Sequence, residues 1–408
     1  MKTILTNCTV IDCLGNPLKS GMTVVIDRDR IADLKSGTWQ PEAQETDTRV
    51  FDLEGGYVLP GLWDVHEHLG DLYPDPNHVM QGESTVTRSI RAGRNAMDAL
   101  RVGITGIRVV GEENYLDLAW KKAFDSGLMV GPRLFVCGKA IIATGGHGHD
   151  VGSAVEVDGP YEMRKAVREQ LKQGVDQIKL AITGGVQTMG ETMQESQLLL
   201  DEVQAATEVA HQKGKRVCVH AGGPAGVKTA ILGGVDCIEH GYYLDDKAIA
   251  MMVEADVFYV PTINVTQYKA FMERTQAAEH HRERALGAAH AHREGFRKAL
   301  KAGVKIASGA DFSPVAELGR VEIEQMVIAG MTEMQALVAA TRTSADLCGV
   351  EEHLGTVEKG KLADLIVLSA NPLDDITNIR NLNMVFKSGN SIDLTPQEGL
   401  ADFWELFY

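Results

Sequence analysis

The sequence predicts an α/β fold, in which a TIM-type (β/α)8 barrel is joined to a small β-sandwich domain formed by both chain ends. Three observations support this prediction. Eight short β-rich runs alternate with helix-like segments through the middle of the chain, as in parallel barrels. Both chain ends instead carry strand-like runs without helices between them. The chain has 408 residues, which is enough for a barrel and one smaller domain.

Residues 1–57 and 355–394 are predicted to form the small domain. Short antiparallel strands are expected in TILTNCTVID (3–12), MTVVIDRDRIADL (22–34) and RVFDLEG (49–55). ADLIVLSA (363–370) and NMVFKSGNSID (383–393) have the same character, so the two ends can pair. Residues 395–408 are predicted to form a C-terminal helical tail whose aromatic residues pack either within the chain or at a subunit contact.

The barrel is predicted to span residues 58–354. Its eight strand-like runs are YVLPGLWDVH (57–66), GITGIRVVG (103–111), PRLFVCG (132–138), VDQIKLAI (175–182), KRVCVHA (215–221), DCIEHG (236–241), VFYVPT (257–262) and VKIASGAD (304–311). Helices are expected at 80–101, 115–127, 159–173, 196–213, 224–233, 246–255, 266–302, 317–329 and 333–347. Because the runs are short and the spacers are long, the strands are expected to be parallel.

Composition excludes several classes of partner. The net charge of −16 argues against binding to nucleic acid or to an anionic membrane surface. The six cysteines are scattered without a C-x-x-C pair, so we expect free thiols rather than a zinc ribbon or a disulfide framework. The N-terminal run has the pattern of a strand rather than a signal peptide, and no run of about 18 apolar residues is present. These features predict a cytoplasmic protein.

Polar residues end four of the eight runs, and a fifth run carries one inside it. His66 and His68 end the first and point to the same side of an extended strand. The others are Lys179 in the fourth run, His220 in the fifth, His240 in the sixth and Asp311 in the eighth. The carboxyl ends of barrel strands meet at one rim, so these six residues are predicted to form one cluster. Taken singly, each also has a structural interpretation, such as a salt bridge for Lys179 or a helix N-cap for Asp311.

Four histidines and an aspartate suit divalent metals of the zinc class. A lysine ammonium cannot bind a cation, but a lysine carboxylated by carbon dioxide is an anion that can bridge two metals. Two such metals can activate a bridging water and polarise a carbonyl group. Asp311 is then predicted to accept the water's proton and pass it to the leaving group.

These motifs resemble the amidohydrolase superfamily of metal-dependent hydrolases over nearly the whole chain. LPGLWDVHEH (59–68) is similar to its first-strand signature, and GTVEKGKLADLIVL (355–368) to the signature of its closing β-domain. The resemblance implies that His66, His68 and Asp311 bind the more buried metal. It also implies that His220 and His240 bind a second metal, and that a carboxylated Lys179 bridges both, with zinc as the expected ion.

Within the superfamily, the chain resembles the prolidase and Xaa-Arg/Lys carboxypeptidase branch through GITGIRVVG, IIATGGHGHD and IKLAITGGV. Lys179 distinguishes it from adenosine-deaminase-like and imidazolonepropionase-like members, and Gly70 replaces the arginine of dihydroorotase-like members. Val109 follows Arg108, where the branch usually has Asp or Asn. The branch includes relatives that hydrolyse ochratoxin-like N-acyl amino acids and phenylurea-type amides, and many of its members are oligomers, so a homo-oligomer is expected.

The substrate end is predicted at ATGGHGHDVGS (143–153), which follows the third run. His147 and His149 are expected to hydrogen-bond a substrate carboxylate, or the carbonyl oxygen in the transition state, and Tyr242 to contact the same carboxylate. Residues 183–196 are long enough to cover the site as a lid. His280, His281, His290 and His292 are predicted to lie on a solvated helix face.

The predicted activity is cleavage of a C-terminal amide in a dipeptide or an N-acyl amino acid by a metal-bridging hydroxide, with Asp311 and His147 as catalytic residues. The alternative keeps the binuclear site and changes the substrate to a urea, a carbamate, a cyclic amide or a xenobiotic amide. A non-catalytic scaffold is disfavoured, because such relatives typically lose metal ligands and all six positions are filled here.

Overall fold

The structure is a computed structural model that describes residues 2–39, 48–75, 78–188, 190–395 and 401–407. The strands found in these residues are β1 (Lys2–Val10), β2 (Lys19–Asp27), β3 (Arg30–Ser36), β4 (Thr48–Asp52), β5 (Tyr57–Pro60), β6 (Leu62–Glu67), β7 (Ile104–Val109), β8 (Arg133–Phe135), β9 (Ala140–Ile142), β10 (Ala154–Glu156), β11 (Gln177–Ala181), β12 (Arg216–Ala221), β13 (Cys237–His240), β14 (Phe258–Val260), β15 (Leu365–Leu368), β16 (Leu382–Lys387) and β17 (Asn390–Ser391).

The α-helices in the same residues are α1 (Thr85–Arg101), α2 (Leu116–Asp125), α3 (Gly159–Gln173), α4 (Leu200–His211), α5 (Pro224–Leu232), α6 (Asp246–Glu254), α7 (Asn264–Gln267), α8 (Lys269–Arg274), α9 (Glu279–Ala302), α10 (Val315–Ala329), α11 (Glu333–Val338), α12 (Ser344–Leu347) and α13 (Phe403–Phe407). The single helix predicted at 266–302 is therefore divided into α7, α8 and α9. The segment predicted at 333–347 contains a π-helical turn between α11 and α12.

Both chain ends contribute to one eight-stranded sheet, in the order β17-β16-β15-β5-β1-β2-β3, with β4 also paired to β1. The predicted pairing of the two ends is confirmed, since β15 pairs antiparallel with β5. The antiparallel prediction is wrong for β4, which runs parallel to β1. Residues 37–47 separate β3 from β4, and a parallel neighbour needs such a long connection, whereas a hairpin needs only a tight turn.

The central strands form two parallel sheets, β6-β7-β8 and β10-β9-β11-β12-β13-β14, which confirms the α/β class. The predicted eighth run has only an isolated bridge, between Tyr259 and Ile306. Backbone hydrogen bonds nevertheless join this run to β14 on one side and to β6 on the other. Ala307 N donates to Tyr259 O at 2.9 Å, and Val65 N donates to Ser308 O at 2.8 Å. The segment after β14 therefore lies next to β6.

The main apolar core lies between these strands and the helices that cover them, and includes Ile107, Ile178, Val219 and Ile238. A second apolar core, including Leu5, Val24, Val58 and Phe386, fills the terminal sheet. Alternation of side chains along each strand puts these residues inside.

The C-terminal tail contains the predicted helix, α13. Trp404 is buried and packs edge-on against Phe271, with ring centroids 5.8 Å apart. Its indole nitrogen donates to Glu317 Oε2 at 2.6 Å. Within the described part of the tail, Trp404 therefore packs within its own chain. The rest of the predicted tail, at 396–400 and 408, lies outside the described residues.

The free-thiol prediction is confirmed. All six cysteines are unpaired, and all are buried except Cys348, which is partly exposed. Among the described residues, no helix is both long and apolar enough to cross a membrane.

Candidate active site

All six rim residues predicted from sequence line one cavity of about 410 Å³ at the carboxyl ends of the parallel strands. His66 lies in β6 and His68 follows its last residue. Lys179 comes from β11, His220 from β12, and His240 from the end of β13. Asp311 follows the segment that lies between β14 and β6. The fold thus brings together residues that are up to 245 positions apart in sequence.

His66, His68 and Asp311 form the tightest group. Their ligand atoms all lie within 4.8 Å of one another. Asp311 Oδ1 is 3.2 Å from His66 Nε2 and 3.7 Å from His68 Nε2. Two imidazole nitrogens and a carboxylate oxygen this close together are a ligand set that suits a divalent metal, so these residues fit a metal ion.

The backbone turn that delivers Asp311 depends on close contact with β6. Asp311 N donates to His66 O at 2.8 Å. A Cβ on Gly309 would lie 2.7 Å from His66 N. Glycine is therefore required for the chain to pass this close to β6.

The Nδ1 atoms of His66 and His68 are held by hydrogen bonds to other parts of the protein. His66 Nδ1 donates to Glu239 Oε2 at 2.6 Å, and His68 Nδ1 donates to Gly111 O at 2.9 Å. Each bond fixes the ring so that Nε2 is the nitrogen free to bind a metal.

Glu239 is itself held from the opposite side. Arg108 Nη2 donates to Glu239 Oε1 at 2.7 Å, Arg108 Nε donates to Val65 O, and Cys237 Sγ lies 2.9 Å from Glu239 Oε1. The sequence pattern predicts no role for Glu239 or for Arg108. The available signal was a charged residue inside an apolar strand, which is rarely buried without a partner.

His220 and His240 lie against this group. Their ring centroids are 4.4 Å apart, and His240 is 4.8 Å from His66. His240 Nδ1 lies 2.7 Å from Thr262 Oγ1, and His220 Nε2 lies 3.1 Å from Gly184 O. The structure therefore brings the two predicted ligands of the second metal to the same cavity wall.

Lys179 is 4% exposed and lines the cavity. Within the described part of the chain, no carboxylate is found in salt-bridge range of its Nζ. A salt bridge therefore does not account for its burial, and an unpaired buried ammonium is costly.

Burial sets the protonation of the cluster. It lowers the pKa of His66, His220 and His240 well below the usual value, and the positive charge of Lys179 adds to the effect. It lowers the pKa of His68 to about 4 and raises the pKa of Asp311 to about 8. The imidazoles are thus neutral, which is the metal-binding form. Burial is the main cause of the raised Asp311 pKa, and the positive charge of Lys179 acts in the opposite direction without offsetting it.

The predicted substrate residues divide into two groups. His147 and Tyr242 line the cavity. The His147 ring stacks on His220 at 4.1 Å, and the buried Tyr242 ring stacks on His240 at 5.2 Å. His149 is exposed, is not part of the cavity lining, and bonds through Nδ1 to Gly146 O at 3.0 Å. From the predicted lid, Val186, Gln187 and Thr188 line the cavity, whereas Met189 lies outside the described residues.

The prediction that the four histidines of α9 are solvated is wrong for two of them. His281 is 3% exposed and His292 is 1% exposed. The side of α9 that carries them faces the protein. His292 Nδ1 lies 2.7 Å from Thr266 Oγ1, and its ring packs edge-on against Tyr242 at 5.3 Å. Charged residues neighbour both histidines in the sequence, so the sequence pattern did not reveal that this side of α9 is buried.

The sequence profile of the amidohydrolase family matches residues 57–392. The ochratoxinase of Aspergillus niger is 30% identical over 394 aligned residues, which cover 89% of this chain and 80% of that protein. A solved Xaa-Pro dipeptidase with methionine bound in its active site is 35% identical, with a TM-score of 0.89, and the match covers 96% of this chain and 100% of that one. A prolidase complexed with N-methylphosphonate-L-proline is 28% identical, with a TM-score of 0.87, over 96% and 99% of the two chains.

Proposed function

The chain belongs to the amidohydrolase family, and from this premise we propose that it releases an amino acid by cleaving the C-terminal amide bond of a dipeptide or an N-acyl amino acid. It is a hydrolase of amide bonds, as the family match and the two named kinds of relative indicate. The finer assignment draws on the relatives that are named as dipeptidases and prolidases, one of which holds a free amino acid in its active site.

The observation that carries the proposal is the composition of one cavity. Its lining combines six candidate metal-binding side chains with several hydrogen-bonding side chains, among them His147 and Tyr242. Metals held by the first set would polarise the carbonyl group of the scissile amide. The hydrogen-bonding side chains could bind the carboxylate of the amino acid that is released.

We propose that His66, His68 and Asp311 hold one divalent metal, that His220 and His240 hold a second, and that Lys179, carboxylated by carbon dioxide, bridges them. Zinc is the proposed ion because the ligands are imidazoles and carboxylates. When bound, the metals would polarise the scissile carbonyl and lower the pKa of water. Carboxylation would replace the unpaired ammonium of Lys179 with an anion.

The side chains of this chain have distinct tasks in the proposed reaction. Asp311 accepts a proton from the attacking water through a carboxylate oxygen and delivers it to the leaving nitrogen. His147 and Tyr242 donate hydrogen bonds to the substrate carboxylate and so hold the amide bond near Asp311. We assign no task to His149, because it lies outside the cavity lining.

A second candidate keeps the site and changes the substrate to a urea, a carbamate, a cyclic amide or a xenobiotic amide. One feature favours it. Among the described residues the cavity lining contains no arginine, and Lys179 is its only lysine. Recognition of a free carboxylate thus depends on uncharged or weakly basic groups, which would also accept a neutral substrate. The relation to an ochratoxinase is consistent with either candidate.

The proposal is tested by measuring amino-acid release from a panel of paired substrates. The panel holds Xaa-Pro, Xaa-Arg/Lys and Xaa-hydrophobic dipeptides, N-acyl amino acids and the C-terminal amide of each, with zinc or manganese and bicarbonate supplied. Cleavage of the acids in preference to the amides supports the proposal. Two bound metals without release from any acid would contradict it and favour the second candidate.

The architecture around the site is proposed in the same way. We infer that an eight-stranded barrel is closed by β6, β7, β8, β11, β12, β13, β14 and the segment 304–311. Backbone bonds join that segment to both β14 and β6, and Gln177 N of β11 donates to Val136 O, directly after β8, at 3.3 Å. The limits at 58–354 for the barrel, and at 1–57 and 355–394 for the small domain, are proposed with it. A cytoplasmic location and a homo-oligomer stay predictions.

A further inference from the structure

The short helix α13 contacts the rest of the protein through two aromatic side chains that are three positions apart. Trp404 packs edge-on against Phe271 of α8, with ring centroids 5.8 Å apart. Phe407 lies against α1, where the guanidinium of Arg91 is 5.3 Å from the centre of its ring. Residues three apart are neighbours on the surface of a helix, so this side of α13 reaches two separate elements.

The first contact leads to the loop that carries Asp311. Phe271 stacks on Phe312, with ring centroids 4.8 Å apart and an angle of 18° between the rings. Each of these two side chains is only 2% exposed. Phe312 directly follows Asp311. The Trp404 ring is therefore joined through one side chain to the residue next to this proposed metal ligand.

The second contact leads to the loop that follows His68. Arg91 is 2% exposed, and its Nε and Nη2 atoms donate to Gly70 O at 3.0 and 2.7 Å. Gly70 is two residues after His68. The same guanidinium pairs with Glu83 at 2.5 Å, and a cation is attracted to the face of an aromatic ring. The Phe407 ring therefore packs on the group that holds this loop.

The two loops are also joined directly, by the buried side chain of Asn95 on α1. Its Nδ2 donates to Leu69 O at 3.2 Å and to Ser313 Oγ at 2.8 Å, and its Oδ1 accepts from Val315 N at 2.9 Å. A backbone nitrogen only donates and a carbonyl only accepts, so these contacts fix the orientation of the amide. A displacement of one loop is therefore transmitted to the other.

Polar contacts specify where α13 docks. The guanidinium of Arg274 lies 3.7 Å from the centroid of the Trp404 ring. Arg94 Nη2 donates to Ala401 O at 3.3 Å, just before the helix. A protein interior relaxes only partly around a deleted side chain. Loss of the indole would therefore leave a void beside Phe271 and loosen the aromatic stack.

We propose that Trp404 and Phe407 are positioning residues, which hold the loops carrying Asp311 and His68 in the geometry that the first metal site needs. Neither aromatic residue lines the cavity, so both act through the side chains between. The inference rests on the proposed function only through its metal site, and it extends the support of that site to the C-terminal helix. It is independent of which amide is cleaved.

The test measures the zinc affinity of the full chain, by competition with a chelator, in Trp404→Ala and in Phe407→Ala. Each substitution is expected to weaken zinc binding by about three- to tenfold, which is less than the roughly 10–100-fold effect of losing a direct partner of a ligand. Leu406→Ala is the matched control and should leave zinc affinity unchanged, because Leu406 is on the same helix and 51% exposed. Unchanged affinity in either aromatic variant would overturn the proposal.

A second control separates positioning from a general loss of stability. Val24→Ala removes buried volume from the apolar core of the terminal sheet, which is separate from the cluster that contains Trp404, Phe271 and Phe312. Denaturation by urea gives the loss of stability in each variant. Zinc affinity should fall in the aromatic variants and stay unchanged in Val24→Ala. An equal fall in Val24→Ala would show a merely structural effect and contradict the proposal.

A conservative variant tests the packing route itself. Trp404→Phe keeps an aromatic ring against Phe271 and should recover most of the zinc affinity that Trp404→Ala loses. A loss as large as that of Trp404→Ala would contradict this route. Phe407 is partly exposed, so Phe407→Ala supplies the measurement if Trp404→Ala does not fold.

Zinc binding needs no substrate, so this result is distinct from that of the substrate panel. If no amide is cleaved but the aromatic variants lose zinc affinity, the proposed function falls and the positioning role stands. If amides are cleaved and the aromatic variants bind zinc as the unmodified protein does, the proposed function stands and only the role of Trp404 and Phe407 falls.

Discussion

His66 Nδ1 and Glu239 Oε2 lie 2.6 Å apart in the interior of the protein, and neither side chain is more than 1% exposed. A buried carboxylate of this kind is stable only if it is paired, and Arg108 supplies the second partner at 2.7 Å. Burial favours loss of charge from Arg108, but Glu239 more than compensates and raises the pKa of the guanidinium. His66 is therefore oriented by a charged pair below the cavity.

Removal of the Glu239 charge is expected to weaken metal binding. In Glu239→Gln the amide can still accept from Arg108, but it no longer offers His66 a carboxylate. Loss of such an outer partner typically reduces metal affinity by about 10–100-fold. Competition with a chelator measures the affinity. Glu322→Gln is the control, because Glu322 is equally buried but accepts hydrogen bonds from the backbone N–H groups of Ile263 and Asn264 instead. Unchanged affinity in Glu239→Gln would contradict the assigned role.

Asp311→Asn is expected to retain metal and lose turnover. The amide oxygen can still act as a ligand, whereas the amide cannot accept and return a proton. Proton transfer by a placed side chain contributes about 10²–10⁴ in rate, so kcat should fall by that factor with little change in KM. Steady-state kinetics and metal analysis on the same sample measure both. Asp246→Asn, at an exposed site, is the control. Full activity in Asp311→Asn would remove Asp311 as the proton carrier.

The sequence was sufficient to predict the parallel strands and to predict that the six rim residues lie together. Short β-rich runs carry their own signal, and the rule that strand ends share one rim supplies the long-range contacts. His66 and Asp311 could therefore be placed together although no local pattern connects them. The same rule says nothing about His149, which lies in the predicted substrate segment but is not part of the cavity lining.

The residues that sequence did not reveal act through contacts between distant segments. Glu239 is a single carboxylate whose partner, His66, comes from another element, and Trp404 is linked to Phe312 through Phe271 of α8. The solvated position predicted for His281 is wrong for a related reason. A helix with many charges has a solvated side, but which histidines lie on the opposite side depends on how the helix docks. The direction of β4 likewise depends on the path of the connection before it.

Lys179→Ala is expected to abolish the two-metal centre. If a carboxylated Lys179 bridges the ions, its removal leaves the second ion with two histidines, so metal content should fall from two equivalents toward one. Short carboxylic acids should restore part of the activity by taking the place of the missing carboxylated side chain. Metal analysis after dialysis measures the content, with Lys228→Ala as the control, since Lys228 pairs with Asp245 outside the cavity lining. Two tightly bound metals in Lys179→Ala would refute the bridge.

His281 is expected to make stability fall in mild acid. Burial lowers its pKa from 6.5 to about 4, with smaller effects from His280 and Arg284. Between these values the unfolded chain binds a proton that the folded protein does not, so the free energy of unfolding falls as pH falls. From about pH 7.5 to about pH 5.5 this group should account for a loss of about 1.4 kcal/mol.

Denaturation by urea at the two pH values, at constant metal concentration, measures that loss in the unmodified protein and in His281→Gln. Glutamine does not titrate, so the variant should lose about 1.4 kcal/mol less than the unmodified protein over the same interval. Changes at the metal ligands are common to both proteins and cancel in the difference. His290→Gln is the matched control, because His290 is on the same helix but exposed. Equal pH dependence in His281→Gln and the unmodified protein would show that His281 takes up its proton in the folded state, which its burial and unpaired Nε2 oppose.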